Sequence, residues 1–475
     1  MRVVLRALSA AIVAFGVTSC AVGSLHSESV LPHSLSPESS SSNYIRHVVV
    51  VIQENRSFDD FFSSFPGANG TSGGCMKPPS PLGSAGRRPS GCPSGDRYVP
   101  LQKVNLAEPC DYGHSFKNFG IDYDGGAMDG FGLEGSGKKC HTGKAGAAVY
   151  QYVDPSQIAP YWAIARQYVL GDAMFQTQGS GSFTAHQDLI AAGTILNRAK
   201  TKSVVDFPSY MPWGCDAPPG TKTSLLDYTA SKLKDEYHKG PFPCFTYATM
   251  RDLLDAKSVS WKYYSPPEPH GTGALWNAFD AIEAVRRGPE WKTNVANTND
   301  FFGGVSAGTL PSVCWIVPDD NNSDHPGVQH DTGPSWVAAV VNAIGQSNYW
   351  DSTAIVVVWD DWGGIYDHVK PPFFDRWGGL GFRVPMLLVS AYARETSPSQ
   401  PGYVSHTPYE FGSILKFIEN NWRLGSLRAT DKRATSIVDA FDFTQPPRAF
   451  VAIPAKYSRA YFLHQPPSYQ PVDTE

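Results

Sequence analysis

The chain has 475 residues, with 39 Lys+Arg against 44 Asp+Glu and a formal charge of -5. Charged residues are 17% and apolar residues 41% of the total, which excludes a disordered polyelectrolyte and allows a large buried core. The near-neutral balance gives no electrostatic case for nucleic-acid binding, which calls for a clustered basic surface.

At the N-terminus, Arg2 and Arg6 precede an apolar run over Leu8–Val17 that is too short to span a bilayer comfortably. Residues 1–20 therefore read as a signal peptide. The closing Val17-Thr18-Ser19-Cys20 resembles a bacterial lipobox, implying cleavage before Cys20 and a lipid on its thiol. The expected location is periplasmic or cell-surface as a lipoprotein, with plain secretion as the alternative, and the lipid at Cys20 would bring the chain to a membrane surface. Residues 21–43 contain nine Ser and no apolar periodicity, and are expected to be a flexible tether. Residues 44–475 are expected to form a single domain with loop insertions, one of them the Gly/Pro/Ser-rich stretch 66–100.

There are eight cysteines. Without Cys20 the count is odd, and Cys314 sits in the apolar run Val313–Val317, where a thiol behaves as a small hydrophobe. The other six lie in polar loops. Sequential pairing (Cys75–Cys92, Cys110–Cys140, Cys215–Cys244) is the expected framework among the connectivities six cysteines allow. The absence of a Cys-x-x-Cys spacing argues against a zinc cluster.

Five short apolar runs are predicted to be interior strands: 48–52, 261–264, 313–317, 354–359 and 384–390. They are rich in β-branched residues and continuous rather than alternating, as in sheets covered on both faces. Helices are predicted over 155–169, 276–287, 335–344 and 409–424. In the last, Phe411, Leu415, Ile418 and Trp422 share one face. The alternation argues for an α/β fold with a largely parallel central sheet covered by helices on both faces.

In such a fold ligands bind where chains leave the carboxyl ends of the strands. Here those ends carry Gln53-Glu54-Asn55, Asp360-Asp361, and Asp319-Asp320 followed by Asp324-His325; Arg383 precedes the last strand. Taken singly, an acidic pair after a strand is an ordinary capped turn. Two ends delivering Glu-Asn and Asp-Asp can instead build one oxygen-rich pocket for a divalent cation.

His47–Asp59 (HVVVVIQENRSFD) resembles the opening signature of the bacterial phosphoesterase family that contains phospholipases C and an acid phosphatase. Further blocks match in order: Met128–Phe131, Tyr161–Ala165, Trp261–Tyr264, Asp360–Pro372, Gly381–Pro385 and Ser413–Glu419. The resemblance implies an alkaline-phosphatase-like layered fold and hydrolysis of phosphate esters. It assigns Glu54, Asn55, Asp360 and Asp361 as ligands of a divalent metal ion (Ca, Mn, Mg, Fe or Zn). The nucleophile falls within Gly179–His186, with Ser182 selected by its spacing to His186 and Thr184 and Ser180 as alternatives. His114, Asp324 and His325 match positions near the transferred phosphoryl group, and His330 is a weaker match. His186 and His368 are read either as taking part or as structural support.

The expected function is thus an exported, metal-dependent phosphoric-ester hydrolase with a Ser nucleophile and a phospho-enzyme intermediate. Its partner would be a soluble monoester, as for an acid phosphatase, or a phospholipid headgroup, as for a phospholipase C. The short stretch after Leu424 leans toward a compact phosphatase. From another class, an inactive surface binding protein of the same fold is the alternative, and the complete ligand set argues against it. A sulfatase would need a Cys/Ser-x-Pro-x-Arg motif, absent from the stretch 179–186.

Overall fold

The computed structural model describes residues 37–78, 91–93, 95–108, 110–135, 143–230, 235–266, 276–372, 379–466 and 468. The signal segment 1–20 and Cys140 lie outside them, and with Cys140 the expected Cys110–Cys140 pair. The other two expected disulfides, Cys75–Cys92 and Cys215–Cys244, are formed.

The central sheet has eight strands: β1 (His47–Gln53), β2 (Val169–Gly171), β3 (Trp261–Ser265), β4 (Val295–Asn297), β5 (Val313–Ile316), β6 (Thr353–Trp359), β7 (Met386–Ser390) and β8 (Tyr403–Ser405). Their order is β4-β3-β5-β1-β6-β7-β2-β8. All five predicted strands are in it. Pairings on the β4 side of β7 are parallel up to β6, while β7 is antiparallel to both its neighbours. Every residue of β6, and Val48–Gln53 of β1, is buried, the pattern of strands covered on both faces.

Among the helices are α1 (Pro37–Tyr44), α2 (Phe58–Phe62), α3 (Phe116–Tyr123), α4 (Ala159–Gln167), α5 (Ser182–Ala191), α6 (Gly333–Gly345) and α7 (Phe411–Trp422). Of these, α4 packs against α6, and α7 packs against both α1 and α5. A capping box starts α7, with the Glu410 N–H donating to Ser413 Oγ at 2.9 Å.

Two expectations are corrected. The tether reading of 21–43 overreaches at its end, because α1 is helical and the carbonyl of Ile45 just after it accepts from Asn421 Nδ2 of α7 at 2.9 Å. The helix predicted over 276–287 is interrupted: a 3-10 turn (Ala278–Ala281) stops at Ile282, whose extended backbone bridges Phe245. There the hydrogen bonds Phe245 N–H to Ala281 O (2.7 Å) and Glu283 N–H to Phe245 O (2.9 Å) outweigh local helical periodicity.

Candidate active site

Register explains how distant acidic residues meet. β1 and β6 are parallel neighbours with Gln53 opposite Trp359, so Glu54-Asn55 and Asp360-Asp361 leave the sheet side by side. Asn55 then turns through the left-handed region (φ 53°), which Asn tolerates, and its N–H donates to Asp360 Oδ1 at 2.9 Å. The same oxygen accepts from the Asp361 N–H at 2.8 Å. Gly363 and Gly364 are also left-handed, and a Cβ on Gly363 would lie 2.3 Å from the Asn55 carbonyl oxygen. This is what the paired glycines of the motif provide.

Helix α5 supplies the third side. Ser182 is its first residue and His186 follows one turn later, on the same face. Ser182 Oγ lies 3.2 Å from Asp361 Oδ2 and 3.3 Å from Asn55 Oδ1. The alternatives are committed elsewhere: Thr184 donates to Asp206 O (3.0 Å), and Ser180 accepts from the Asp206 N–H (2.9 Å). His186 Nε2 is 2.9 Å from Glu54 Oε1. Burial pulls the His186 imidazole down to about 4, and one proton shared between His186 Nε2 and Glu54 Oε1 orients the carboxyl.

His114 Nδ1 lies 2.7 Å from the Tyr112 carbonyl and its Nε2 lies 2.8 Å from one end of the Asn55 side-chain amide. The other end of that amide faces Glu54 Oε2 at 3.2 Å and Asp360 Oδ1 at 3.3 Å; with no cation bound, the pairing that satisfies both ends has the amide nitrogen donating to the carboxylates and the oxygen accepting from His114. Asp360 Oδ2 is buried without a hydrogen-bond partner. Burial first, then Asp360, Asp361 and Asp324, push the Glu54 carboxyl well above the usual carboxylate range. Among the described residues no lysine or arginine pairs with Glu54 or Asp360. Buried carboxylates crowded together beside a side-chain amide, one of their oxygens unpartnered and no basic side chain between them, are a donor set that fits a hard divalent cation. Glu54, His186 and Asp360 form one of the residue groups able to hold a metal ion.

The second such group, Asp59, Asp367 and His368, already has its cation. Arg383, fully buried, donates from Nε and Nη2 to the two oxygens of Asp367 (2.9 and 3.0 Å) and from Nη2 to Asp59 Oδ1 (3.2 Å). His368 Nδ1 meets Asp59 Oδ2 at 2.6 Å. Burial lowers the pKa of His368, but Asp59 outweighs it and the net shift is upward. His368 is therefore structural support. Because β7 runs antiparallel, its beginning rather than its end lies at this edge, which is how Arg383 arrives here.

The loop after β5 brings His325 within 6.1 Å of the His114 ring, centroid to centroid, and stacks it on Trp276 at 6.2 Å. His325 Nδ1 donates to Pro326 O at 2.6 Å. Burial, with His114 adding to it, holds His325 down at about 4. The Asp324 carboxylate is turned to Tyr161 OH (2.7 Å) and Trp359 Nε1 (3.1 Å), and burial raises it to about 7. His330 is exposed. Two motif residues that carried no expected role fix this loop: Gln53 Oε1 accepts from the Asp324 N–H (3.0 Å) and Arg56 Nε donates to the Asp324 carbonyl (2.7 Å). A polar or charged side chain lodged in a run of buried residues was the available signal.

A hydroxyl at a helix start, a cluster of cation-compatible oxygens and two neighbouring imidazoles fit the hydrolysis of phosphate esters on an α/β fold. Residues 45–425 match the family model described as Phosphoesterase family, and the chain belongs to that family. It is 27% identical over 453 residues to phospholipase C A of Mycobacterium tuberculosis, covering 85% of this chain and 78% of that one. It is 24% identical to the non-hemolytic phospholipase C of Burkholderia pseudomallei, over 90% of this chain and 63% of the other. A Vibrio parahaemolyticus protein in the alkaline phosphatase superfamily is similar in structure, with a TM-score of 0.33 and 11% identity, over 60% of this chain and 64% of that one.

Proposed function

We propose that the chain is an exported, metal-dependent phosphodiesterase of the phospholipase C type, with Ser182 as nucleophile. The observation that carries this reading is the position of Ser182 Oγ, 3.2 and 3.3 Å from Asp361 and Asn55 at the start of α5. The phospholipase C relatives favour a lipid diester over a soluble monoester. Export is supported by the Arg2–Cys20 pattern and by two disulfides, which persist in oxidising compartments.

Glu54, Asn55, Asp360 and Asp361 would hold the cation, which when bound supplies Lewis-acid polarisation of a phosphate oxygen and lowers the pKa of a neighbouring hydroxyl. The chain's own groups do the rest. The N–H groups of the first turn of α5 favour a phosphate oxygen. Ser182 Oγ passes its proton to Asp361 Oδ2, 3.2 Å away, and attacks phosphorus; the bond to the leaving alkoxide breaks and a phosphoseryl enzyme forms. His325, its Nδ1–H held by Pro326 O, carries on Nε2 a proton taken from solvent and gives it to the leaving alkoxide. Water then attacks phosphorus, one of its protons going to His325 and the proton on Asp361 returning to Ser182 Oγ as the phosphorylated headgroup leaves. His186 holds Glu54 in place, Asn55 holds His114, and Asp324 anchors His325.

The test is turnover of p-nitrophenyl phosphorylcholine and p-nitrophenyl phosphate by the wild type and Ser182→Ala, each with and without chelator. We expect the wild type to cleave the choline diester, chelator to stop it, and Ser182→Ala to lose at least about a thousandfold with its fold retained. Retained turnover in Ser182→Ala refutes the nucleophile, and turnover of the monoester alone favours a phosphatase.

A further inference from the structure

A small antiparallel sheet of Lys202–Val205, Ser224–Asp227 and Asp235–Glu236 stands apart from the central one. Hydrogen bonds beyond its strands gather the flanking turns at one end. The Ser209 N–H donates to Lys222 O (2.8 Å), the Lys222 N–H to Ser209 Oγ (3.0 Å), and the Gly240 N–H to Thr223 O (2.7 Å). This apex displays Tyr210 (61% exposed), Met211 (44%) and Tyr237 (57%), beside the exposed Lys222 and Lys239.

From the apex a ladder of rings runs inward. Tyr237 stacks on His238 at 3.7 Å, His238 meets Phe207 at 6.4 Å, Phe207 stacks on Trp213 at 6.0 Å, and Trp213 meets Phe183 at 5.6 Å. Phe183 is the residue after Ser182, so the ladder connects the exposed rings to the first turn of α5.

We propose that this apex docks on a phospholipid surface and presents headgroups to Ser182, an inference that rests on the lipid-diester reading above. Tyr rings suit the headgroup layer, with an apolar body and a polar tip. Met adapts to irregular apolar surroundings, and two lysines at the rim complement anionic lipid. Docking of a second copy of the chain is the competing outcome of the test.

The experiment is co-sedimentation of the full chain carrying Cys20→Ser, so that no acyl chain contributes, with vesicles of phosphatidylcholine and with vesicles that also contain phosphatidylglycerol. We expect partition of this protein to both. Tyr210→Ala/Met211→Ala/Tyr237→Ala should lower partition about tenfold on both vesicles. Lys222→Gln/Lys239→Gln should lower it about fivefold per lysine on the phosphatidylglycerol vesicles only, an effect lost in high salt. Turnover of soluble p-nitrophenyl phosphorylcholine should be unchanged in both variants. No partition of the parent protein, or undiminished partition of both variants, overturns the proposal, as does a dimer that only the apex variants lose. Should the triple variant misfold, the lysine pair and its salt dependence decide. Partition without turnover of the soluble diester refutes the catalytic reading and leaves the docking result separate.

Discussion

Replacing Arg383 by Met should expose the site's hidden dependence on one guanidinium. Arg383 makes a bidentate contact to Asp367, a bond to Asp59 Oδ1, and bonds from Nη1 to the carbonyls of Asn69 (2.9 Å) and Asp172 (2.8 Å). Met fills a similar volume and leaves two carboxylates of 0% exposure without it. Removing one partner of a buried pair costs about 3–5 kcal/mol. With an unfolding entropy of about 2.1 cal/mol/K per residue, a chain of 475 residues loses roughly 1 °C per kcal/mol, so Tm should fall by about 3–5 °C. Burial already raises the Asp367 carboxyl, with Arg383 opposing it. Without that opposition its folded pKa lies further above the unfolded value, the folded state holds a proton the unfolded state lacks, and the variant should regain stability as pH falls from 8 toward 5. The assay is thermal unfolding of both proteins across that range at one scan rate, because unfolding of so large a disulfide-bonded chain is read kinetically. A variant within about 1 °C of the wild type at pH 8, or one that gains nothing on acidification relative to wild type, refutes the reasoning.

Glu54→Gln should abolish the rise in Tm that a divalent cation gives the wild type, worth about 2.7 kcal/mol at a hundredfold excess over Kd, while in chelator it should be at least as stable as the wild type, since Gln keeps the shape without a carboxyl whose ionisation burial and its neighbours oppose; a lower Tm in chelator would count against the oxygen cluster as drawn. His325→Gln should flatten the acid dependence of stability. The His325 imidazole titrates at about 4, below the unfolded value, so the unfolded chain gains a proton that the folded one refuses and stability falls as pH drops from about 6.5 to 4, by up to ~1.4 kcal/mol per unit. Urea midpoints at pH 7 and pH 5 measure this, and an unchanged difference in the variant would show that His325 is not held neutral. Gly363→Ala forces a left-handed turn on a side chain whose Cβ would sit 2.3 Å from the Asn55 carbonyl oxygen; turnover should fall at least about tenfold with the Tm down by a degree or more, and full activity would show the loop free to shift.

Much of the site was legible because its residues are fixed to regular elements with fixed geometry. The apolar runs at 48–52 and 354–359 made strands, and parallel strands release their chains at a common edge, so Glu54-Asn55 and Asp360-Asp361 could be expected together. Ser182 and His186, four apart, had to share a helical face once α5 formed. What no local pattern carries is direction and depth. That β7 runs against its neighbours, so that Arg383 rather than the far end of the strand reaches the site, follows from pairing with β2 and β6. That Ile282 leaves the helix to pair with Phe245 follows from a contact far away in sequence. Asp324, expected beside the phosphoryl group, is held between Tyr161 and Trp359 because those partners come from two other elements. The sequence by itself determined which side chains could do chemistry and the period with which each element presents them, since propensity and periodicity act over a few residues. Only the tertiary structure decided which oxygens face each other without a basic side chain between them, because desolvation and charge pairing depend on neighbours that the chain supplies from hundreds of residues away.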